Sequence, residues 1–440
     1  MNPSSPAALR RKRRRTALVL IALFLVLVAL HLRNRVVDRG AWPDPAPDVA
    51  LAPSPKPEAL AAPDATNAWH LLASLPVPHE DFPDIHDAAR KELSHFHAQG
   101  GFAAATNAYP AIEAWVAKMA PALALWREAA ESGAASFCDS PDLPTQYAVL
   151  GKARECALLA PYLAARARRD GDWEACLAAW RDTLLNAPKV TFGTGTAGQV
   201  VAYDMTLGVT RDLLAALPLL PDDIRASWCH ALADIATAPA QPLAESIRHD
   251  GAAAHDVLGA FFPDEPSFGA PPPGLQPPSG LFRWIARRNG SAPEVSISHL
   301  DAILSHVVAA AERPYSAAGL YAELPAWCRG RRPPWTNDPA AASAVCHLRD
   351  NTLSAGVYPV LREMELRAAL YAVRLAGGDA ADPPIDPFSP DGAPFVLDAP
   401  PPAWRFHSVG PDQRDDGGVN DWATARRAGP GLDFLFAASE

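Results

Sequence analysis

The pattern of apolar and polar positions divides the chain into one uninterrupted apolar run and a long body of helical periodicity. From Thr16 to Leu32 no side chain is charged. A helix over those residues rises about 25 Å, at the short end of what spans a hydrocarbon core. Beyond it, apolar residues recur with a 3.6-residue period, predicting helices over 85–98, 109–132, 144–169, 172–187, 195–216, 221–236, 241–261 and 358–376. Asp64 stands where it can cap a first helix carrying Trp69, Leu71 and Leu72. Strand-type alternation is nearly absent before residue 388. The expected fold class is therefore mainly α: an N-terminal transmembrane helix, an antiparallel helical array and a small C-terminal β-hairpin module.

Two proline-rich stretches punctuate this body. Residues 33–63 contain the run Ala-Trp-Pro-Asp-Pro-Ala-Pro-Asp and resist both helix and sheet, so an extended spacer is expected there, holding the domain off the bilayer. Residues 263–280 form a second break. The chain thus reads as a basic tail (1–15), a span (16–32), a linker (33–63), a helical domain (64–262), a loop (263–280), a second helical segment (281–378) and a C-terminal module (379–440).

Charge sets the orientation. Six consecutive basic residues, Arg10 to Arg15, precede the apolar run, and Arg33, Arg35 and Arg39 follow it. The N-terminus is then expected in the cytoplasm and the bulk outside it, on a bacterial inner membrane. No small-x-small cleavage site follows the run, which argues for an uncleaved anchor. Residues 1–40 hold nine basic residues and Asp38, so the exported part keeps 30 of 39 basic and 48 of 49 acidic residues, a net charge of −18. That balance disfavours a nucleic-acid partner, and the basic run beside an apolar span is a topology signal.

Leu163, Ala164, Gly171, Trp173, Leu177, Trp180, Leu184 and Pro188 stand at the offsets of a tetratricopeptide repeat, and this segment resembles one such unit. Gly171 and Asp172 suit the turn between its helices, Ala164 their close approach, and Pro188 the end of the second helix. No second unit lies 34 residues away on either side. The resemblance implies an αα-hairpin of repeat type, and with it a surface for a protein partner. Trp173 and Trp180 form an aromatic helical stripe of core character.

After residue 380 the texture changes. The chain reads Asp386-Pro-Phe388-Ser-Pro-Asp-Gly392, then Phe395-Val-Leu-Asp, then Trp404-Arg-Phe406-His-Ser408-Val-Gly410-Pro-Asp412, which predicts a β-hairpin. These residues resemble the C-terminal part of the major pseudopilins of type II secretion. Asp386, Pro387 and Phe388 match the family's turn, with Ser389 where glycine is usual. Ser408, Gly410 and Asp412 match a following element, Gly417 and Gly418 a loop, and Asp433 the closing acid. In that family the loop binds calcium, so the resemblance implies a calcium site drawing on Asp412, Asp415, Asp416, Asn420, Asp421 and Asp433. The spacing is not that of an EF-hand. The chain departs from the family in lacking its leader and in separating the span from the hairpin by some 350 residues. The whole layout resembles a group of bacterial membrane-anchored proteins of unknown function.

Six cysteines lie at 138, 156, 176, 229, 328 and 346. Cys328 and Cys346 flank a loop rich in Arg, Pro and Gly and form the candidate disulfide. Cys156, Cys176 and Cys229 sit in helical patterns as small core residues. His95 and His97 point to different faces of one helix, and His249 and His255 have no known ligand spacing. There is no phosphate loop, nucleophile elbow, dinucleotide fingerprint or H-E-x-x-H. The leading functional expectation is a non-enzymatic extracytoplasmic scaffold. An accessory component of a secretion or pilus-like machine and an envelope-acting hydrolase are the alternatives.

Overall fold

A computed structural model describes residues 42–55, 67–76, 82–104, 109–132, 136–138, 143–264, 291–324, 338–379, 382–417 and 433–438, with positions 26–27, 280, 283–284, 286, 326–327 and 329. The expected span at 16–32 therefore lies outside the described residues except for Val26 and Leu27. Among the described residues no helix is long and apolar enough to cross a membrane. Most of the proline-rich loop 263–280 is outside them too, as is Cys328.

The molecule is mainly helical with a small three-stranded antiparallel sheet. Its longer helices are α1 (Ala68–Ala73), α2 (Pro83–Ala98), α3 (Pro110–Glu131), α4 (Leu143–Arg169), α5 (Trp173–Lys189), α6 (Gly195–Ala216) and α7 (Asp222–Ala236). They continue with α8 (Leu243–Gly259), α9 (Pro293–Ala311), α10 (Pro339–Asn351) and α11 (Tyr358–Ala376). Proline opens α2, α3, α9 and α10, where its fixed φ suits the first turn and its missing N–H goes unneeded. The cap of α1 is Asn67, whose side chain accepts from Trp69 N at 3.0 Å. Asp64, the expected cap, lies outside the described residues; Asn67 stands directly before the first turn, and its amide also donates to Phe137 O at 2.8 Å.

The repeat-like segment folds as a hairpin of α4 and α5. Gly171 turns with φ +75°, a conformation costly for other residues, and Asp172 caps α5 by accepting from Ala175 N at 2.9 Å. Pro188 does not end α5, contrary to expectation, since the helix runs on to Lys189. Buried Asn186 anchors that last turn by donating to Trp126 O at 2.7 Å, and Lys189 reaches the carbonyls of Ala129 and Ala130. Trp180 is fully buried, in keeping with a core stripe.

Two apolar cores form, and they do not follow chain order. The first joins α1–α7 with α11 and the sheet; the second joins α8, α9 and α10. Helix α6 is the common wall, packing on α4, α5, α8 and α11. Cys156 and Cys176 are buried in the first core as free thiols.

The proline-rich linker is not a spacer where it is described. Residues 42–55 lie along the second core. Trp42 stacks on His299 at 4.3 Å and meets Trp327 edge-on at 5.1 Å. Ala46 N donates to Ser305 Oγ at 2.8 Å, Arg248 Nε to Ala50 O at 2.8 Å, and Ser54 Oγ to Glu245 Oε2 at 3.0 Å. Val49 and Leu51 pack on the core. Proline density excluded helix and strand, but extended backbone can also bind a surface, and α8 and α9 supply the donors and acceptors.

The hairpin is β1 (Val396–Ala399) and β2 (Arg405–Ser408), with Leu397 opposite Phe406 and an irregularity between Leu397 and Ala399. A third strand, β3 (Phe434–Ala437), pairs with β2, placing Phe406 opposite Phe436 and His407 opposite Leu435. It was not expected from the sequence. The sheet is no separate module: Phe406 contacts Tyr371 of α11 at 4.9 Å, and Phe388, Phe395, Trp404, Phe434 and Phe436 belong to the first core.

Candidate metal centre

Strand pairing brings together residues distant in the chain. Phe406 points into the core, so its neighbour His407 must face the other way, toward the loop 409–417 and the start of β3. That side is covered too, leaving His407 only 2% exposed. Its Nδ1 lies 3.0 Å from Asp398 Oδ2 on β1. Its Nε2 lies 3.1 Å from Asp415 Oδ1 and 3.9 Å from Asp433 Oδ2. One ligand atom from each of His407, Asp415 and Asp433 falls within 4.8 Å of the others, the only such group among the described residues. Burial works against charge on His407, but Asp398 and Asp415 outweigh it and raise its pKa above the ordinary histidine value.

Backbone geometry fixes the two acids. Asp433 is fully buried, and its Oδ2 accepts from Asp416 N at 2.8 Å. Asp415 Oδ1 accepts from Gly417 N at 2.9 Å, and Gly417 has φ +79°. The loop is pinned by Gln413, itself at φ +59°. Its side chain donates to Tyr315 O and Phe388 O, each at 3.1 Å, and accepts from Ala317 N at 2.9 Å. A non-glycine residue at positive φ is strained and persists only where its surroundings hold it, as these three bonds do.

Of the six residues expected to bind calcium, the structure thus gathers two, Asp415 and Asp433. Asp412 instead closes a local turn, accepting from Arg414 N at 3.3 Å. Asp416 is exposed and contributes its backbone N–H. Asn420 and Asp421 lie outside the described residues, with Gly418. Asp386, from the family-like turn, is an internal latch: buried, it accepts from Phe388 N at 2.9 Å, Val409 N at 2.8 Å and Ser408 Oγ at 3.0 Å. Sequence reasoning missed His407, whose signal was its place in Phe-His-Ser, one step out of phase with Phe406.

The donor set has a definite chemical character. Calcium takes oxygen ligands, whereas an imidazole nitrogen with two carboxylates suits zinc and its neighbours. In such sites the other ring nitrogen is held by an outer carboxylate, which fixes tautomer and orientation, and Asp398 stands in that position. Without an ion the same atoms form a histidine–carboxylate network that closes the sheet.

Two cavities line the helical body and meet at Arg154. One, of about 800 Å3, lies against α4, α6 and α11 and reaches Tyr203, Asp204, Asp212 and Tyr358. The other, of about 370 Å3, reaches Tyr147, Asp250, His347 and Thr352. Their acids are committed to the protein. Asp212 accepts from Trp180 Nε1 at 2.9 Å and Phe102 N at 3.3 Å, and burial pushes its pKa up to about 7. Asp250 accepts from Thr196 Oγ1 at 2.5 Å and Thr352 Oγ1 at 2.6 Å, and burial pushes it to about 6. Asp204 pairs with Arg154 at 2.7 Å. Elsewhere His86 pairs with Glu155 and His255 with Asp301, both half-buried.

No family model, curated protein or solved structure matches the chain.

Proposed function

We propose that the chain is a membrane-anchored, extracytoplasmic helical scaffold whose C-terminal sheet is stapled by a divalent cation held by His407, Asp415 and Asp433. The observation that carries the staple is the convergence of Nε2 of His407 with two carboxylates while Asp398 holds Nδ1. Such an ion would tie β2, β3 and the intervening loop into one unit. The imidazole favours zinc over the calcium that the pseudopilin resemblance implies. The scaffold reading rests on the helical body, its repeat-like α4–α5 hairpin and the cavity of about 800 Å3 against α4, α6 and α11. The anchor rests on the apolar run 16–32 and the basic residues before it.

The test is a thermal melt of the full chain in detergent with zinc, with calcium and with chelator. An ion binding only the folded state adds about 2.7 kcal/mol at a hundredfold excess over its Kd. Zinc should raise the transition, and His407→Gln should abolish the rise. Stabilisation by calcium that survives His407→Gln would shift the site to the oxygen ligands of the loop. No shift with either ion would leave the network as a metal-free closure of the sheet and refute the staple.

A further inference from the structure

The hairpin of α4 and α5 carries a third cavity, of about 340 Å3, with Trp126 and Arg127 of α3 on its wall. From α4 it is lined by Ala160, Leu163, Ala167 and Asp170, and from α5 by Asp172, Ala175, Ala179 and Asp182. Both sets step by three, four and three residues, so each is one stripe along one helix face. The cavity is therefore a trough running from the hairpin turn at Gly171 to Asp182. Along α5 its ends lie about 15 Å apart. Alanine at 160, 167, 175 and 179 leaves it open.

Carboxylates stand at both ends. At the turn, Asp170 and Asp172 are exposed, and Asp172 also caps α5. At the far end Asp182 is 4% exposed, and only one of its oxygens is met. Arg127 Nε donates to Oδ2 at 3.1 Å, while Oδ1 is buried and accepts no hydrogen bond among the described residues. Arg181 Nη2 stands 4.0 Å from that oxygen, too far to donate, and lies as near to Glu131, at 3.9 Å. Burial raises the Asp182 pKa in spite of Arg127. One turn further along α5, Oδ1 of buried Asn186 likewise accepts nothing among the described residues. A buried acceptor without a donor costs free energy that a donor would recover. The other arginine of the wall, Arg166, is turned to Glu113 at 3.0 Å.

The donor that Asp182 calls for has a recognisable chemistry. A metal ion would find one unspent oxygen among aliphatic side chains, far short of the ligands it needs. An anion would meet three carboxylates. An ammonium brings N–H donors and positive charge, its methylene stem suits the alanines and Leu163, and the indole of Trp126 favours a cation. Acids at both ends of one trough match two ammonium groups on one aliphatic chain better than a single one. We propose that this trough binds a linear aliphatic polyamine, with one ammonium donating to Asp182 Oδ1 and another beside Asp170 and Asp172. The site is independent of the anchor and of the cation staple, because its residues belong to α3, α4, α5 and the turn between the last two.

The experiment is calorimetric titration of spermidine into the full chain in detergent, with n-butylamine as the single-ammonium probe. Spermidine should bind one to one and about tenfold tighter than n-butylamine, or more. Asp182→Asn removes the buried charge and should weaken spermidine about tenfold or more. Ala179→Leu keeps every charge but fills the trough; it should weaken spermidine comparably, and it carries the test if Asp182→Asn does not fold. Asp223→Asn, at an exposed acid in the first turn of α7, controls for diffuse attraction to an acidic protein and should change nothing. Four results would each overturn the site: no saturable binding, n-butylamine binding as tightly as spermidine, binding untouched by Ala179→Leu, or equal weakening by Asp223→Asn and Asp182→Asn.

Discussion

Asp338 offers the sharpest test of how the second core is held. It is 1% exposed and caps α10 by accepting from Ala341 N at 3.1 Å. It also accepts from Ser291 Oγ at 2.7 Å and Ser296 Oγ at 2.8 Å, and lies 2.9 Å from His299 Nδ1. Asp338→Ala removes a helix cap, worth about 1 kcal/mol, and orphans buried donors that each gain roughly 1.5–3 kcal/mol from a charged acceptor. Because the donors share one partner these do not add fully, and the expected loss is about 4 kcal/mol. Asp338→Asn keeps the shape and one acceptor and should cost about 1–2 kcal/mol.

The assay for both variants is urea unfolding followed by tryptophan emission, since Trp42 and Trp327 report on this core. The pH dependence supplies a second arm. Burial raises the Asp338 pKa, but the contacts from His299, Ser291, Ala341 N and Ser296 outweigh it and hold the carboxyl below its ordinary value. A depressed acid contributes stability that is present above its unfolded pKa, about 4, and lost as pH falls through the folded value. The gap between wild type and Asp338→Asn should therefore narrow below about pH 4. A loss under 1 kcal/mol for Asp338→Ala, or a gap independent of pH, would refute the view of Asp338 as a charged hub.

Glu365 should behave in the opposite sense. Burial pushes its pKa up to about 7 against a bond from Thr210 Oγ1 at 2.9 Å, so its contribution is fullest below the unfolded pKa and fades as pH rises to about 7. Glu365→Gln should flatten that decline and gain on the order of 2 kcal/mol at pH 8 relative to pH 4, read by denaturant titration at both pH values. Gly193, at φ +77°, would bring an added Cβ to 2.6 Å from Cys138 O, and its N–H donates to Gln241 Oε1 at 2.6 Å. Gly193→Ala should cost about 2 kcal/mol or more in the same assay, since a backbone atom cannot step aside as a side-chain tip can.

The helices were legible because each carries its own period and its own stops. Those expected at 195–216 and 358–376 coincide with α6 and α11, and the others agree within a few residues. Local signals failed where the deciding partner was remote. Pro188 reads as a helix stop, but Asn186 and Lys189 bind α3 and carry the helix past it. Residues 42–55 read as a spacer because proline forbids regular structure, and only α8 and α9 reveal what their backbone could bind. Strand β3 is only four residues long, and it becomes a strand because β2 offers it an open edge.

The candidate site shows the same limit. Asp415 and Asp433 are named through the pseudopilin resemblance, but His407 joins them only through sheet register and a loop pinned by Gln413 to Tyr315. The sequence by itself determined that this protein is built mainly of helices, where most of them begin and end, and that a hairpin follows the last one. Those properties depend on neighbours within a turn or two of chain. Which helices share a core, where the linker lies, and which side chains converge on one point were decided by tertiary structure. They depend on contacts between residues tens to hundreds of positions apart, which no local periodicity encodes.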